Sequence, residues 1–199
     1  MATNVEQFSE FEVKESHAKF ADGEAMALGC VGSLEETLNV RTVTKKCEGV
    51  LKKSVTRSDG SGEIKFTLHM RWEVFKNAFG LVSEGFKAGI YAYGTSSVHK
   101  EFCYTAKVLD EDGNIKYKAY PKCCVSTGIA TKIENGAEEV AEIEVTAAVF
   151  ADTSGNCMYQ AFDSEVDETV KKGWIESFSP DLIKATTQLN NAEGVNNNG

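Results

Sequence analysis

The residues of this chain that could do chemistry are sparse and badly spaced for it. The three histidines, His17, His69 and His99, have no His, Cys or carboxylate partner at a spacing typical of a metal site. His69 falls on the polar side of an alternating segment and reads as a solvated or hydrogen-bonded ring. Gly94-Thr95-Ser96-Ser97 is a turn-like loop and lacks the G-x-S-x-G order of a nucleophile elbow. Gly60-Ser61-Gly62 is too short for a phosphate loop and has no Lys-Ser/Thr after it. Glu142 and Glu144 would project from one strand face about 7 Å apart, a spacing open to acid/base work and equally to a solvated acidic face. Cys30, Cys47, Cys103, Cys123, Cys124 and Cys157 contain no C-x-x-C, and the adjacent Cys123-Cys124 point to opposite faces of any strand. They read as reduced thiols, the buried ones acting as small apolar residues. No catalytic residue, metal site or cofactor is expected.

Charge is the more informative pattern. Arg41, Lys45, Lys46, Lys52, Lys53 and Arg57 are accompanied by a single acid, Glu48. Glu134, Glu138, Glu139, Glu142 and Glu144 are accompanied by no base. Two solvated loops would explain this; so would a contact in which the basic segment of one copy meets the acidic surface of another. Each exposed ion pair stabilises by at most about 1 kcal/mol, so such a contact would set register and partner choice more than affinity. The net charge of −9 argues against nucleic acid as a bound ligand. The first residues, MATNVEQFSEFEV, lack the basic and apolar regions of a signal peptide, and no apolar run approaches the roughly 18 residues of a membrane span.

The elements that must position these groups are mostly strands. Ile64, Phe66, Leu68 and Met70 alternate with Glu63, Lys65, Thr67 and His69, which is a half-buried strand. Leu34 to Thr44 precedes it as a strand, with Lys45 to Gly62 expected as an extended basic loop between the two. Phe102 to Val108 and Ile115 to Ala119 flank Asp110-Glu111-Asp112-Gly113-Asn114, a turn with a positive-φ glycine. Val125 to Ile133 and Ala141 to Val149 alternate around Asn135-Gly136 and predict a long hairpin of roughly ten residues per arm. A short strand is expected near Cys157 to Phe162. Trp72, Phe75 and Phe79 mark the apolar face of a short helix, expected to be core, that stops at Gly80. Lys171 to Ser177 and Pro180 to Leu189 are weaker helix candidates, and Asn190 to Gly199 reads as a disordered tail. The resulting class is mainly β: an antiparallel β-sandwich or split barrel with one short α-helix packed outside, an extended loop and terminal arms. Long strands leave bare edges, which identical neighbours can close.

The order Gly32-Ser33-Leu34-Glu35-Glu36, Val40 to Lys46, a basic loop, Gly60-Ser61-Gly62-Glu63, a strand ending His69-Met70 and a helix ending Phe79-Gly80-Leu81 resembles the major tail tube proteins of tailed bacteriophages. The resemblance covers roughly Val13 to Asp163 and rests on element order and texture. It implies a structural, non-enzymatic virion protein whose rings, six copies each, stack into a hollow tail tube, here of a long non-contractile tail. It divides the chain into a tube domain at 1–163, with an N-terminal arm and the loop at 45–62, a C-terminal arm at 164–189 and the tail at 190–199. Arg41, Lys45, Lys46, Lys52, Lys53 and Arg57 become inter-ring contacts, and Glu138, Glu142 and Glu144 become either an acidic lumen or a mating surface. DNA would pass the lumen without specific binding, and tape-measure, terminator and distal tail proteins would be further partners. The family gives the cysteines no role. Rival expectations are the inner tube of a contractile tail or injection machine and, from another class, a carbohydrate- or surface-binding β-module using Tyr91, Tyr93 and Tyr104.

Overall fold

A computed structural model describes residues 7–21, 23–136 and 138–185. The first six residues of the expected N-terminal arm (Met1 to Phe11), the last part of the C-terminal arm at 186–189 and the tail at 190–199 lie outside the described residues. Eight strands, β1 (Glu12–Phe20), β2 (Ala25–Ala27), β3 (Gly29–Cys47), β4 (Val50–Met70), β5 (Glu101–Leu109), β6 (Ile115–Val125), β7 (Ile143–Phe150) and β8 (Tyr159–Phe162), form one antiparallel sheet. The strand order is β2-β1-β5-β6-β7-β4-β3, with β8 added to β6. Helices α1 (Trp72–Ala78) and α2 (Glu168–Ser177) pack on it.

The mainly antiparallel β class is the one expected; the strands form a single sheet that curls without closing into a barrel. Alternation drives the curl. Ile64, Phe66 and Leu68 of β4, Val145, Ala147 and Val149 of β7, and Phe102, Tyr104 and Ala106 of β5 all face inward and bury together. Phe66 meets Tyr104 edge-on across the interior with ring centroids 4.9 Å apart, although β4 and β5 are not neighbours. Near the sheet's two ends, the Leu28 N–H donates to the Ser16 carbonyl at 2.8 Å. A smaller second core lies on the other face, where Trp174 and Phe178 cover Tyr117 and Ala119. Pro121 is tolerated inside β6 because the β5–β6 register slips there.

The β5–β6 turn matches its sequence signature. Gly113 takes φ 81°, and the Asp110 carboxylate accepts from the Asn114 N–H at 2.7 Å and the Asp112 N–H at 3.0 Å. β8 appears where a short strand was expected, and α1 ends at Gly80, whose φ of 60° stops it. Strand β1 was missed; Ser16, Ala18 and Phe20, all buried, carry an alternation that would have found it.

Two expectations are overturned. Lys45–Gly62 is no loop: it is the distal part of a β3–β4 hairpin with strands of 19 and 21 residues. Its two-residue turn, Glu48-Gly49, has both residues at positive φ (52° and 78°), a type I′ geometry that glutamate rarely enters, so the turn carried no local signature. The long Val125–Ile133/Ala141–Val149 hairpin is not formed either. β6 and β7 pair through Lys122–Val125 and Ala147–Phe150, while the described residues between Ser126 and Glu142 form no strand. Ile129 packs partly against the core, but farther out the alternating residues are uncovered: Ile133 is 90% exposed and Val140 81%. Of the Pro180 to Leu189 helix candidate, residues 180–185 make turns and bends.

Acid should loosen this fold. Burial raises the Glu10 carboxyl, but hydrogen bonds and charge from Lys116 and Lys118 outweigh that and leave its pKa lowered from 4.5. Asp110, Asp152 and Asp163 are likewise lowered from 3.8; burial opposes them, and hydrogen bonds from Asn114, Tyr159 and Lys171 respectively win. A carboxyl whose folded pKa is depressed contributes stability above its unfolded pKa and loses it as pH falls through the folded value. Thermal midpoints should therefore hold from neutral pH down to about 4.5 and drop below it. Scanning calorimetry between neutrality and pH 3 checks this; an unchanged midpoint at pH 3 contradicts it.

Candidate assembly surface

β7 pairs with β4 only from Ser61 to Leu68. Beyond Ser61 the hairpin has no neighbouring strand among the described residues, so Val40–Cys47 and Val50–Ser58 project as a two-stranded ribbon, about 27 Å long at about 3.4 Å per residue. The exit is marked by a bulge. Register slips between Leu38 and Val40, Gly60 takes φ 79°, and the Asp59 carboxylate accepts from the Ser61 N–H at 3.0 Å. Gly60-Ser61-Gly62 is thus the hinge-like bend of a strand. Isolated two-stranded ribbons are marginal in water, and among the described residues no strand pairs with either edge of this one.

Register sorts the ribbon's side chains. Arg41 lies opposite Arg57, Val43 opposite Val55 and Lys45 opposite Lys53. These six share one face and, with Thr44, Ser58 and Asp59, line a concave groove of about 690 Å³. The other face carries hydroxyls, with Thr42 and Thr56 hydrogen-bonded at 2.8 Å and Thr44 opposite Ser54. Four of the six expected contact cations therefore line the groove. Lys46 falls on the hydroxyl face, and Lys52 sits in a second bulge beside the turn. Like charges directly opposite each other weaken a hairpin. Among the described residues, no carboxylate lies within 4 Å of any of these six cations.

The acidic residues sit elsewhere. Glu144, on β7, is already paired with Lys65 at 3.2 Å. Glu138 and Glu142 are exposed in the irregular segment before β7. The Glu142 carboxylate rests against Gly32, where a Cβ would lie 2.3 Å from its oxygen. Of the expected helix core face, Phe79 is buried and Phe75 half-buried, whereas Trp72 is 51% exposed. Val74 and Ala78 are the buried residues of α1. Trp72 stacks on Phe75 and meets Tyr91 edge-on instead of entering the core.

Little else is arranged for chemistry. His99 is held between the Val125 carbonyl (2.7 Å) and the Tyr93 hydroxyl (3.0 Å). Burial pushes the Cys103 thiol up to about 12 and the Cys123 thiol well above its usual 9.0, so both are protonated and poor nucleophiles at neutral pH. Tyr104 is fully buried, so Tyr91, Tyr93 and Tyr104 do not form one exposed platform. Among the described residues, no group of three or more His, Cys, Asp or Glu could hold a metal ion, and no helix is long and apolar enough to cross a membrane.

No protein-family model matches the chain, and no curated protein aligns with it. Several solved structures are similar. The tube-terminating cap of the anti-feeding prophage overlaps 81% of this chain and 99% of its own, at 10% identity and a TM-score of 0.42. The sheath–tube complex of an extracellular contractile injection system in its extended state overlaps 74% of this chain and 88% of its own, at 11% identity and 0.41. The six-fold symmetrised baseplate of the anti-feeding prophage overlaps 81% and 97%, at 11% and 0.41. Overlaps at TM-scores below 0.5 do not establish a common fold.

Proposed function

We propose that this chain is a structural subunit that polymerises, as stacked rings, into the tube of a phage tail or a related injection machine. The observation that carries the reading is the ribbon beyond Ser61: two strands without a third, like charges opposite each other, and exposed Val40, Val43, Val50 and Leu51. A free monomer gains nothing from such an element. A neighbouring copy would supply the counter-charges, the apolar cover and the missing strand edges in one contact. The resemblance in element order to tail tube proteins supports the same reading, with six copies per ring. The reading assigns the chain no reaction and no cofactor.

Replacing Arg41–Arg57 by Asn-Gly joins Val40 to Ser58, which already pair, and leaves the core untouched. The shortened chain is expected to fold, to show the parental circular dichroism and to form no tubes by negative-stain electron microscopy. Tubes of parental length would remove the ribbon's role. Parent protein that stays monomeric at every concentration, and is absent from purified particles, would remove the whole reading. A sheath protein copurifying with the particles would assign the tube to a contractile system.

A further inference from the structure

The basic groove and the acidic segment lie toward opposite ends of β4, and this decides how copies can meet. β7 begins at Ile143, which pairs with Leu68 near the C-terminal end of β4. Arg57, at the mouth of the groove, is about 36 Å back along the same strand at about 3.3 Å per residue. The bend at Gly60 does not reverse the strand, since β3 stays paired to it on both sides of the bulge, so within one copy the groove and the segment preceding β7 lie toward opposite ends of the hairpin.

The two surfaces nevertheless match. The groove places two valines, Val43 and Val55, between two pairs of cations. The segment before β7 carries two strongly exposed aliphatic residues, Ile133 and Val140, among the exposed carboxylates Glu138, Glu139 and Glu142. Among the described residues, none of these three acids has a cation within 4 Å. Apolar residues beside an excess of cations, with Asp59 the one acid lining the groove, thus occur at one end of the molecule, and apolar residues beside an excess of carboxylates, with Lys132 paired to Glu134, at the opposite end.

Resting on the tube reading above, we propose that the ribbon groove of each copy takes the acidic segment around Val140 of the next copy. Ile133 or Val140 seats between Val43 and Val55, and Glu138, Glu139 and Glu142 face Arg41, Lys45, Lys53 and Arg57. The contact is heterologous: the donor and acceptor surfaces differ and lie at opposite ends, so each copy added leaves a fresh groove and a fresh acidic segment, and growth is polar and open-ended. Complementary charge sets which surfaces meet and in what register. The hydroxyl face of the ribbon, with Lys46, takes no part.

The test uses two full-length variants. One carries Arg41→Glu, Lys45→Glu, Lys53→Glu and Arg57→Glu; the other carries Glu138→Lys, Glu139→Lys and Glu142→Lys. All seven positions are exposed, and both variants should keep the parental circular dichroism. Each alone should lose polymer, measured as the sedimenting fraction, by about tenfold or more because like charges now face each other. Mixed in equal amounts, they should recover it, each variant's ribbon finding a matching segment on the other. Parental polymer should also shrink between about 0.1 M and about 1 M salt, as the screening length falls from about 10 Å to about 3 Å. Either variant polymerising alone like the parent overturns the pairing. So does a mixture that stays unassembled while the parent forms tubes, and that result leaves the tube reading standing. Parent protein that forms no polymer removes both.

Discussion

Lys118→Ala is expected to cost about 3 kcal/mol of folding stability, the low end for breaking a buried ion pair by removing one partner. Lys118 lies on the inner face of β6 and is 1% exposed. Its ammonium donates to Glu10 and to Glu36, each at 2.8 Å. Glu36 also accepts from the Tyr120 hydroxyl, and Tyr120 is fully buried. One cation therefore ties three parts of the chain together across the curled sheet: the segment before β1, the middle of β3 and β6 itself. Without it, two carboxylates remain near each other in a poorly solvated space. Both keep some solvent contact, which is why the low end applies. Urea unfolding should show a lower midpoint with an unchanged slope. Lys118→Met with Glu36→Leu and Tyr120→Phe removes the buried pair and the hydroxyl it satisfies, keeps apolar volume and leaves Glu10 to Lys116, and should recover much of the loss. If Lys118→Ala leaves the midpoint where it was, the network is not holding the sheet's curl. Hydrogen exchange offers a second reading: amides of residues 7–11 should lose protection first, because Glu10 is held from outside its own element.

Trp174→Ala should be as severe, about 3–5 kcal/mol for truncating a buried aromatic, but local in its consequence. Trp174 is the buried residue of α2, with ring centroids 4.9 Å from Phe178 and 5.9 Å from Tyr117. Helix α2 is ten residues long, with Asp167 capping its Val170 N–H at 2.9 Å. Helices that short are not stable alone, so losing the anchor should release α2 from the sheet. Limited proteolysis should then cut between Asp167 and Ser177 while the β5–β6 hairpin stays protected. Trp174→Phe separates packing from hydrogen bonding. The indole Nε1–H has no partner among the described residues, so the phenyl ring forfeits no hydrogen bond and should cost far less than alanine. Equal losses for the two variants would contradict the packing account.

Much of the sheet was legible because alternation is a local property. Ile64 to Met70, the β5–β6 hairpin and its Asp-Gly turn, β8 and the start of α1 each carry their pattern within a few residues, and all formed. Trp72 shows where a pattern stops informing. A helix's apolar stripe names candidates for burial, but which of them meets a sheet depends on the angle at which the helix leaves the strand.

By itself, then, the amino-acid sequence determined the mainly antiparallel β class, the two faces of most strands, and the separation of basic residues at 41–57 from acidic residues at 134–144. Tertiary structure decided what those segments become. Alternation at Thr127 to Ile133 makes a strand possible, but only Ile129 reaches the core while Ile133 stays exposed, so the burial that would stabilise a strand is largely missing and none forms there. The stretch at Lys45–Gly62, with no turn signature of its own, became a paired ribbon because β3 and β4, already held together by the core, could continue their register past the sheet. That register alone placed Arg41, Lys45, Lys53 and Arg57 on one face and sent Lys46 to the other. Strand pairing is non-local: local composition supplies charges and faces, and the partner strand determines which of them stand together.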